Sequence, residues 1–103
     1  MRLVVTTPAA RDLADIVDFI APDDPSAAER VYRAIVAAAR RLLDFPGMGR
    51  VGRLPDTREL SVISLPYVIV YAAASETVTI LAVFHGARDL ARALRERREA
   101  GEI

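Results

Sequence analysis

The sequence predicts an α+β fold in which an antiparallel sheet carries a helical hairpin on one face and is followed by a C-terminal helix. Two segments in the first half have apolar residues at helical spacing, and three consecutive segments in the second half are short, apolar and β-prone. The resulting order is β-α-α-β-β-β-α, and short connections between consecutive strands favour antiparallel pairing. A length of 103 residues fits one domain, so we expect residues 1–103 to form a single unit.

The N-terminal segment predicts a strand and a helix. Arg2–Thr6 is a β-prone run that we expect to join the sheet. Thr7 and Pro8 then have the pattern of an N-cap followed by proline at the first helical position. Apolar residues at helical spacing, with acidic residues between them, predict an amphipathic helix over residues 8–20.

The second helix is predicted to begin at Asp24-Pro25 or at the capping box Ser26-x-x-Glu29, and Pro46-Gly47 should end it. It carries two apolar stripes, so we expect it to be covered on more than one side. The stripes consist of Val31, Ile35, Ala38 and Leu42, and of Tyr32, Val36, Ala39 and Leu43.

The second half predicts a loop, three strands and a helix. Residues 46–56 form a loop rich in glycine and proline. The strands cover Thr57–Ile63, Pro66–Tyr71 and Thr77–His85, and the final helix covers Ala87–Glu99. The middle strand is apolar on both faces, which is typical of a central strand covered on two sides.

The composition excludes several kinds of site. There is no cysteine and only one histidine, so the usual metal ligands are absent, and we expect neither a metal nor a cofactor. The glycines near residue 50 precede a strand rather than open a helix, so they do not predict a phosphate-binding loop. The N-terminus lacks a signal-peptide pattern, and no apolar run reaches the ~20 residues of a membrane span. We therefore expect a cytoplasmic protein with no membrane partner.

Charge is balanced over the chain but not along it. The 14 basic residues match the 14 acidic residues in number, and every basic residue is an arginine. Residues 9–29 carry six acidic residues and one arginine, whereas residues 40–58 carry five arginines and two acidic residues. A neutral chain can thus present a local basic patch, although a mixed solvated surface explains the charges equally well.

His85 and three arginines are the candidate functional side chains. His85 ends a predicted strand, where it either serves in acid–base chemistry or, as we favour, ties the strand end to the next turn. Arg50, Arg53 and Arg58 lie in the loop and at the start of the next strand. They either contact phosphates or an acidic partner, or pair with acids of the first helix.

Glu59 and two tyrosines have structural as well as functional interpretations. Glu59 is a weak candidate for a lone general base, and it should not pair with Arg58 because adjacent strand residues point to opposite faces. Tyr67 and Tyr71 share one face of a strand. Core packing with hydroxyls at the sheet rim is favoured for them over stacking on nucleic-acid bases.

Six short motifs occur in one order over nearly the whole chain, and together they resemble ParE-type toxins of the RelE/ParE superfamily. Each motif is weak alone, whereas the ordered set is specific. The motifs are Ala10–Val17, Asp24–Ala28, Pro46–Arg53, Arg58–Leu60, Pro66–Tyr71 and Ile80–Asp89.

The resemblance implies the toxin of a type II toxin–antitoxin system with a RelE/ParE-like fold. It also implies a cognate antitoxin, which wraps a helical or extended segment over the hairpin and sheet to form a hetero-oligomer. The candidate antitoxin contacts are Ile16, Ile20, Tyr32, Val36, Leu43 and Arg58.

ParE-type toxins bind DNA gyrase, trap its cleaved DNA complex and block replication, and they are not enzymes. The resemblance therefore implies DNA gyrase as the target and growth arrest as the outcome. Exposed arginines are common interface anchors. The candidate target contacts are Arg88, Arg92 and Arg95 on the C-terminal helix.

The alternative function is that of the second branch of the superfamily, which cleaves mRNA on the ribosome as RelE-type endoribonucleases. Such cleavage needs a base, an acid and cationic stabilisation of the phosphate. The groups available here are His85, Arg58, Arg50 and Arg53.

Two differences from the RNA-cleaving branch favour the first function, binding to DNA gyrase without catalysis. Members of that branch resemble one another in an arginine on the third strand and, commonly, a tyrosine near the C-terminus. This chain has Val68 and Ile69 along that strand, and no tyrosine follows Tyr71. The sequence therefore favours a gyrase-directed binding protein and assigns no catalytic residue.

Overall fold

The computed structural model describes residues 1–86 and 90–103. The predicted elements occur in the predicted order, which confirms the α+β class. The helices are α1 (Thr7–Ile20), α2 (Pro25–Arg41) and α3 (Leu90–Glu99), and the strands are β1 (Arg2–Val5), β2 (Arg50–Val51), β3 (Arg58–Ser61), β4 (Tyr67–Ala73) and β5 (Thr77–His85).

One five-stranded sheet has the order β1-β5-β4-β3-β2. Strands β3 to β5 form the predicted antiparallel meander, and the short strand β2, which the sequence did not predict, extends it by pairing with β3. The first strand joins the sheet as predicted but pairs in parallel with β5, so the sheet is mixed rather than wholly antiparallel. Within the described ranges, no helix is long and apolar enough to cross a membrane.

The helix starts follow from local capping groups. The Thr6 side chain accepts a hydrogen bond from the Ala9 amide at 3.3 Å, so the N-cap of α1 is Thr6 rather than the predicted Thr7. The helix α1 therefore begins at Thr7, with Pro8 in its first turn. The Asp24 carboxylate accepts the Ala27 amide at 3.0 Å, which selects Asp24-Pro25 from the two predicted starts of α2.

Other boundaries also differ from the sequence prediction, including the end of β4 at Ala73 instead of Tyr71. The helix α2 ends at Arg41, before Pro46-Gly47, because its last turn tightens and the chain continues in turns. Residues 50–51 form β2 within the predicted loop, since they pair with the start of β3. The strand β3 ends at Ser61, where the chain turns toward β4 and Ser64 has φ 64°. The predicted first turn of the last helix, 87–89, lies outside the described residues.

The helical hairpin of α1 and α2 covers one face of the sheet and α3 covers the other. On β4, Tyr67, Ile69 and Tyr71 face the hairpin, whereas Val68 and Val70 face α3. Both faces of β4 are therefore buried, as its apolar sequence predicts.

A bulge in β5 changes which residues face the hairpin. Val70 pairs with Ala82 and Tyr71 with Ile80, so Leu81 has no partner on β4. The Leu81 carbonyl lies near the Thr6 hydroxyl and the Arg97 guanidinium, at 3.5 and 3.4 Å. The bulge therefore places a backbone acceptor between α1 and α3.

Candidate functional site

A buried carboxylate binds the loop of residues 46–56, called the arginine-rich loop here because it carries Arg50 and Arg53. Glu59 is 1% exposed, and its two oxygens accept hydrogen bonds from the Arg50 guanidinium and the Arg53 amide, each at 3.0 Å. The Arg53 Nε also lies 3.6 Å from the carboxylate. A buried charge is tolerated when it is paired and hydrogen-bonded in this way. Glu59, rather than an acid of the first helix, is thus the partner of these two arginines.

Tyr71 holds the other end of the loop. Its fully buried hydroxyl accepts the Gly49 amide at 2.9 Å and donates to the Pro46 carbonyl at 2.8 Å. A Cβ at Gly49 would lie 2.7 Å from this hydroxyl, so the loop backbone packs directly on the tyrosine. Tyr67 is buried on the same face, so neither ring is available for base stacking, and core packing is confirmed.

Arg58 stabilises the loop from the opposite face to Glu59. Its guanidinium donates to the Gly49 carbonyl at 2.8 Å and reaches the Gly47 carbonyl at 3.5 Å. The expectation that Arg58 and Glu59 do not pair is therefore confirmed. All three arginines of the predicted cluster contact the loop or its buried carboxylate.

The loop and its neighbours display large apolar side chains to solvent. Among the described residues, Phe45 is 62% exposed, Val51 78% and Ile63 77%, and Met48 is also exposed. Met48 lines one pocket with Phe45 and another with Ile63, and neighbouring exposed apolar side chains of this kind are typical of an interaction site.

His85 lies at the other end of the sheet. It pairs with Tyr67, and the two rings meet edge to face with centroids 5.6 Å apart. Arg58 pairs with Tyr71, four residues farther along β4, which corresponds to about 13 Å along the strand. The structure therefore brings Arg50, Arg53 and Arg58 together but does not bring His85 to them.

A small cleft adjoins His85. It has a volume of about 230 Å³ and lies between α1 and the neighbouring ends of β4 and β5. Its walls include Ile16, a candidate antitoxin contact, and Phe19, whose side chain is 84% exposed. Within the described ranges, no group of three acidic or histidine side chains is placed to hold a metal ion.

An ion pair that the sequence did not indicate joins α1 to α3. Both terminal nitrogens of Arg97 donate to Asp12 at 3.0 Å, and Asp12 also accepts the Val83 amide at 3.0 Å. The Arg97 guanidinium lies 5.2 Å from the centre of the Phe84 ring and pairs with Glu102 at 2.9 Å. No local pattern marks this pair, because Asp12 and Arg97 are 85 residues apart.

The candidate antitoxin contacts differ in exposure. Tyr32 is 47% exposed, and the others are partly buried; Ile16 and Leu43 pack against the core. The remaining partly buried candidates are Ile20, Val36 and Arg58.

The candidate target contacts lie on or before α3. Arg92 and Arg95 are exposed, and Arg92 pairs with Glu96 at 3.3 Å. Arg88 lies outside the described residues.

Comparison with known protein families gives one match over most of the chain. Residues 3–90 match the family described as ParE toxin of the type II toxin–antitoxin system parDE. Putative toxin Y4kP of Sinorhizobium fredii is 43% identical over 84 residues, which cover 82% of this chain and 86% of that protein. Toxin RelE2 of Caulobacter vibrioides is 38% identical over 87 residues, which cover 84% of this chain and 97% of that protein.

A solved structure has a similar fold. The chromosomal ParDE toxin–antitoxin system from P. aeruginosa contains a chain that matches this one with a TM-score of 0.74 and 26% identity. The match covers 82% of this chain and 95% of that chain. The RelE/ParE-like fold expected from the sequence motifs is therefore confirmed.

Proposed function

The chain belongs to the ParE toxin family and is the toxin of a type II toxin–antitoxin system, and we propose that it blocks replication by binding DNA gyrase without catalysing a reaction itself. In this proposal a cognate antitoxin neutralises the toxin by covering its exposed surface. The family model and the solved ParDE system support the antitoxin part, and the gyrase part rests on the resemblance of the sequence motifs to ParE-type toxins.

The separation of His85 from the arginine cluster is the main observation in favour of a toxin that does not itself catalyse a reaction. Cleavage of RNA through the ribose 2′-hydroxyl needs an acid–base group and a cation at the same phosphate. Here the register places His85 opposite Tyr67 and Arg58 opposite Tyr71. The arginines of the loop also bind Glu59 or loop carbonyls. This arrangement favours a rigid binding surface over a nuclease site.

Arginines near the C-terminus are the proposed contacts with gyrase. Arg92 and Arg95 are exposed on α3, and Arg88 is included on the basis of the sequence. Exposed arginine side chains are enriched among residues that dominate binding energy at interfaces.

One of the relatives suggests a second candidate function, cleavage of mRNA. Toxin RelE2 of Caulobacter vibrioides carries the name of the RNA-cleaving branch. A ribosome-dependent endoribonuclease is therefore the alternative, with His85, Arg58 and Arg50 or Arg53 as its working groups.

A short induction experiment in bacterial cells distinguishes these functions. We expect incorporation of labelled thymidine to stop before that of labelled leucine, with induction of the SOS response and double-strand breaks. Co-expression of the protein encoded by the adjacent reading frame should restore growth. Early loss of leucine incorporation with cleaved mRNA would contradict the gyrase proposal and support the endoribonuclease. Absence of both effects, with antitoxin binding intact, would leave an inactive binding module.

A further inference from the structure

Beyond the end of β1, the strand β5 has an open edge beside α1. The four residues of β1 pair with Thr77–Ile80, so in residues 1–86 and 90–103 no strand lies beside 81–85 on the side away from β4. The Asp12 carboxylate occupies part of this edge, since it accepts the Val83 amide at 3.0 Å. The cleft that adjoins His85 lies between α1 and the end of the same strand.

The ion pair of Arg97 shows how α1 and β5 together hold a guanidinium group. Both terminal nitrogens of Arg97 donate to Asp12, and the guanidinium lies 5.2 Å from the centre of the Phe84 ring. Carboxylates bind guanidinium groups through paired N–H···O bonds, and the faces of aromatic rings attract cations. A carboxylate of the helix and an aromatic ring of the strand therefore bind one cation between them.

The same combination of groups recurs one helical turn farther along α1. Asp15, Ile16 and Phe19 follow Asp12 by three, four and seven residues, so the four side chains share one face of the helix. All four line the cleft, and no arginine is among its described lining residues. Asp15 is exposed and forms no ion pair within the described ranges. The cleft thus presents a carboxylate and aromatic rings to which no arginine is bound.

Tyr67 adds a hydrogen-bonding group to the cleft. The residue is only 8% exposed, yet its hydroxyl has no hydrogen-bond partner among the residues that the structure describes. The hydroxyl is not fully enclosed, and Tyr67 lines the cleft, so the hydroxyl reaches solvent there. Because polar groups this deep in a protein are normally hydrogen-bonded, a ligand that donates a hydrogen bond would supply the missing partner.

The size and charge of the cleft limit what it can bind. Its volume of about 230 Å³ is below the roughly 300–1,000 Å³ of pockets for drug-sized molecules, which favours a single side chain. The negative charge of Asp15 disfavours an anion. A guanidinium fits better than an ammonium group, because it is planar, donates several hydrogen bonds in one plane and stacks on aromatic rings.

We propose that the cleft binds an arginine side chain of gyrase. Its guanidinium donates to the Asp15 carboxylate and the Tyr67 hydroxyl and stacks on Phe19, whose ring is 84% exposed. Gyrase is the source because the cleft ends at His85, and the proposed gyrase contacts follow three to ten residues later in the sequence. The two then belong to one binding surface. This inference rests on the proposed function, which supplies the partner.

Titration of the purified chain with N-acetyl-arginine methylamide tests the chemistry of the cleft without a protein partner. We expect the amide NMR signals of residues 15–19 and His85 to shift, with a millimolar dissociation constant. The citrulline analogue has a similar shape without the charge and should bind at least ~10-fold more weakly. Asp15→Asn should abolish this difference. Asp18→Asn should preserve it, because Asp18 is an exposed acid of the same helix outside the cleft. Equal binding of the two probes to the unmodified chain would overturn the proposal.

Binding measurements with purified gyrase test the source of the arginine. We expect affinity at least ~10-fold weaker for Asp15→Asn and within ~2-fold for Asp18→Asn. Phe19→Leu keeps an apolar side chain without the ring and should weaken binding about 3-fold. Affinity for the protein encoded by the adjacent reading frame should change less than ~2-fold in all three variants.

The outcomes separate the cleft from the proposed function. Equal gyrase affinities of Asp15→Asn and Asp18→Asn would overturn the role of the cleft while leaving the proposed function intact. Weaker binding of the antitoxin in place of gyrase would assign the arginine to the antitoxin and overturn the proposed source. Failure of the unmodified chain to bind gyrase would instead contradict the proposed function and thereby the partner.

Discussion

Tyr71 and Glu59 place polar groups inside the protein, where each must find a partner from the arginine-rich loop. Tyr71 binds Gly49 and Pro46, and Glu59 binds the Arg53 amide. Unsatisfied polar groups are costly in the interior. The loop backbone is consequently fixed at several points, although its sequence is rich in glycine. A fixed backbone lowers the entropy lost when the exposed residues of the loop bind a partner.

Replacement of Tyr71 by phenylalanine measures this contribution. The change leaves the Gly49 amide and the Pro46 carbonyl without the hydroxyl, so we expect the free energy of unfolding to fall by about 1–3 kcal/mol. Tyr32→Phe is the matched control, because Tyr32 is 47% exposed, and it should alter stability by less than about 0.5 kcal/mol. Urea unfolding followed by circular dichroism compares the two. Equal stability of the two variants would show that the loop does not depend on the Tyr71 hydroxyl.

The same residues show which part of the candidate site could be predicted from sequence. The spacing of the arginines along the chain predicts the cluster, and alternation along the strand correctly separates Arg58 from Glu59. The pairing of Glu59 with Arg50 could not be predicted, because it depends on the short strand β2 within a segment whose glycine and proline content indicates a loop.

The elements differ in how far local sequence determines them. The start of α2 is predictable because Asp24 lies three residues before the amide that it accepts. The start of α1 is predicted to within one residue, since the N-cap is Thr6 and not the predicted Thr7. The two-sided burial of β4 was also evident from its continuous apolar run. The bulge at Leu81 and the parallel pairing of β1 with β5 could not be predicted from the sequence, because both depend on contacts between distant segments.

The attachment of α3 also depends on distant residues. Its apolar side covers the sheet through Leu90, Ala93 and Leu94, and the ion pair of Arg97 with Asp12 connects it to α1. The side chains of this pair are only 16% and 14% exposed. Loss of one partner therefore leaves a largely buried charge on the other.

Substitution of Asp12 tests this attachment. Asp12→Ala removes the partner of Arg97 and the acceptor of the Val83 amide, so we expect a loss of about 2–3 kcal/mol in unfolding free energy. Amide exchange in α3 should become faster than in the unmodified chain. Asp15→Ala provides the control, because Asp15 is an exposed acid of the same helix, and its effect should stay within about 0.5 kcal/mol. Similar exchange of α3 in both variants would contradict the role of the ion pair.

At the scale of the whole molecule, the described residues form a five-stranded sheet with helices on both faces. Large apolar side chains are exposed on α2, along the arginine-rich loop and just after β3. Its single histidine and its arginine cluster lie at different ends of the sheet. The proposed mechanism therefore depends on binding: exposed arginines near the C-terminus engage gyrase, and the antitoxin neutralises the toxin by covering its exposed surface. Catalysis by the chain itself is not part of it.

A cleavage assay with purified gyrase tests the central proposal most directly. Supercoiled plasmid is incubated with gyrase, ATP and the purified chain, and the reaction is stopped with detergent and protease. We predict linear plasmid that depends on both gyrase and the chain and disappears when the antitoxin is added first. The absence of linear DNA, together with cleavage of mRNA on programmed ribosomes by the same preparation, would contradict the proposal.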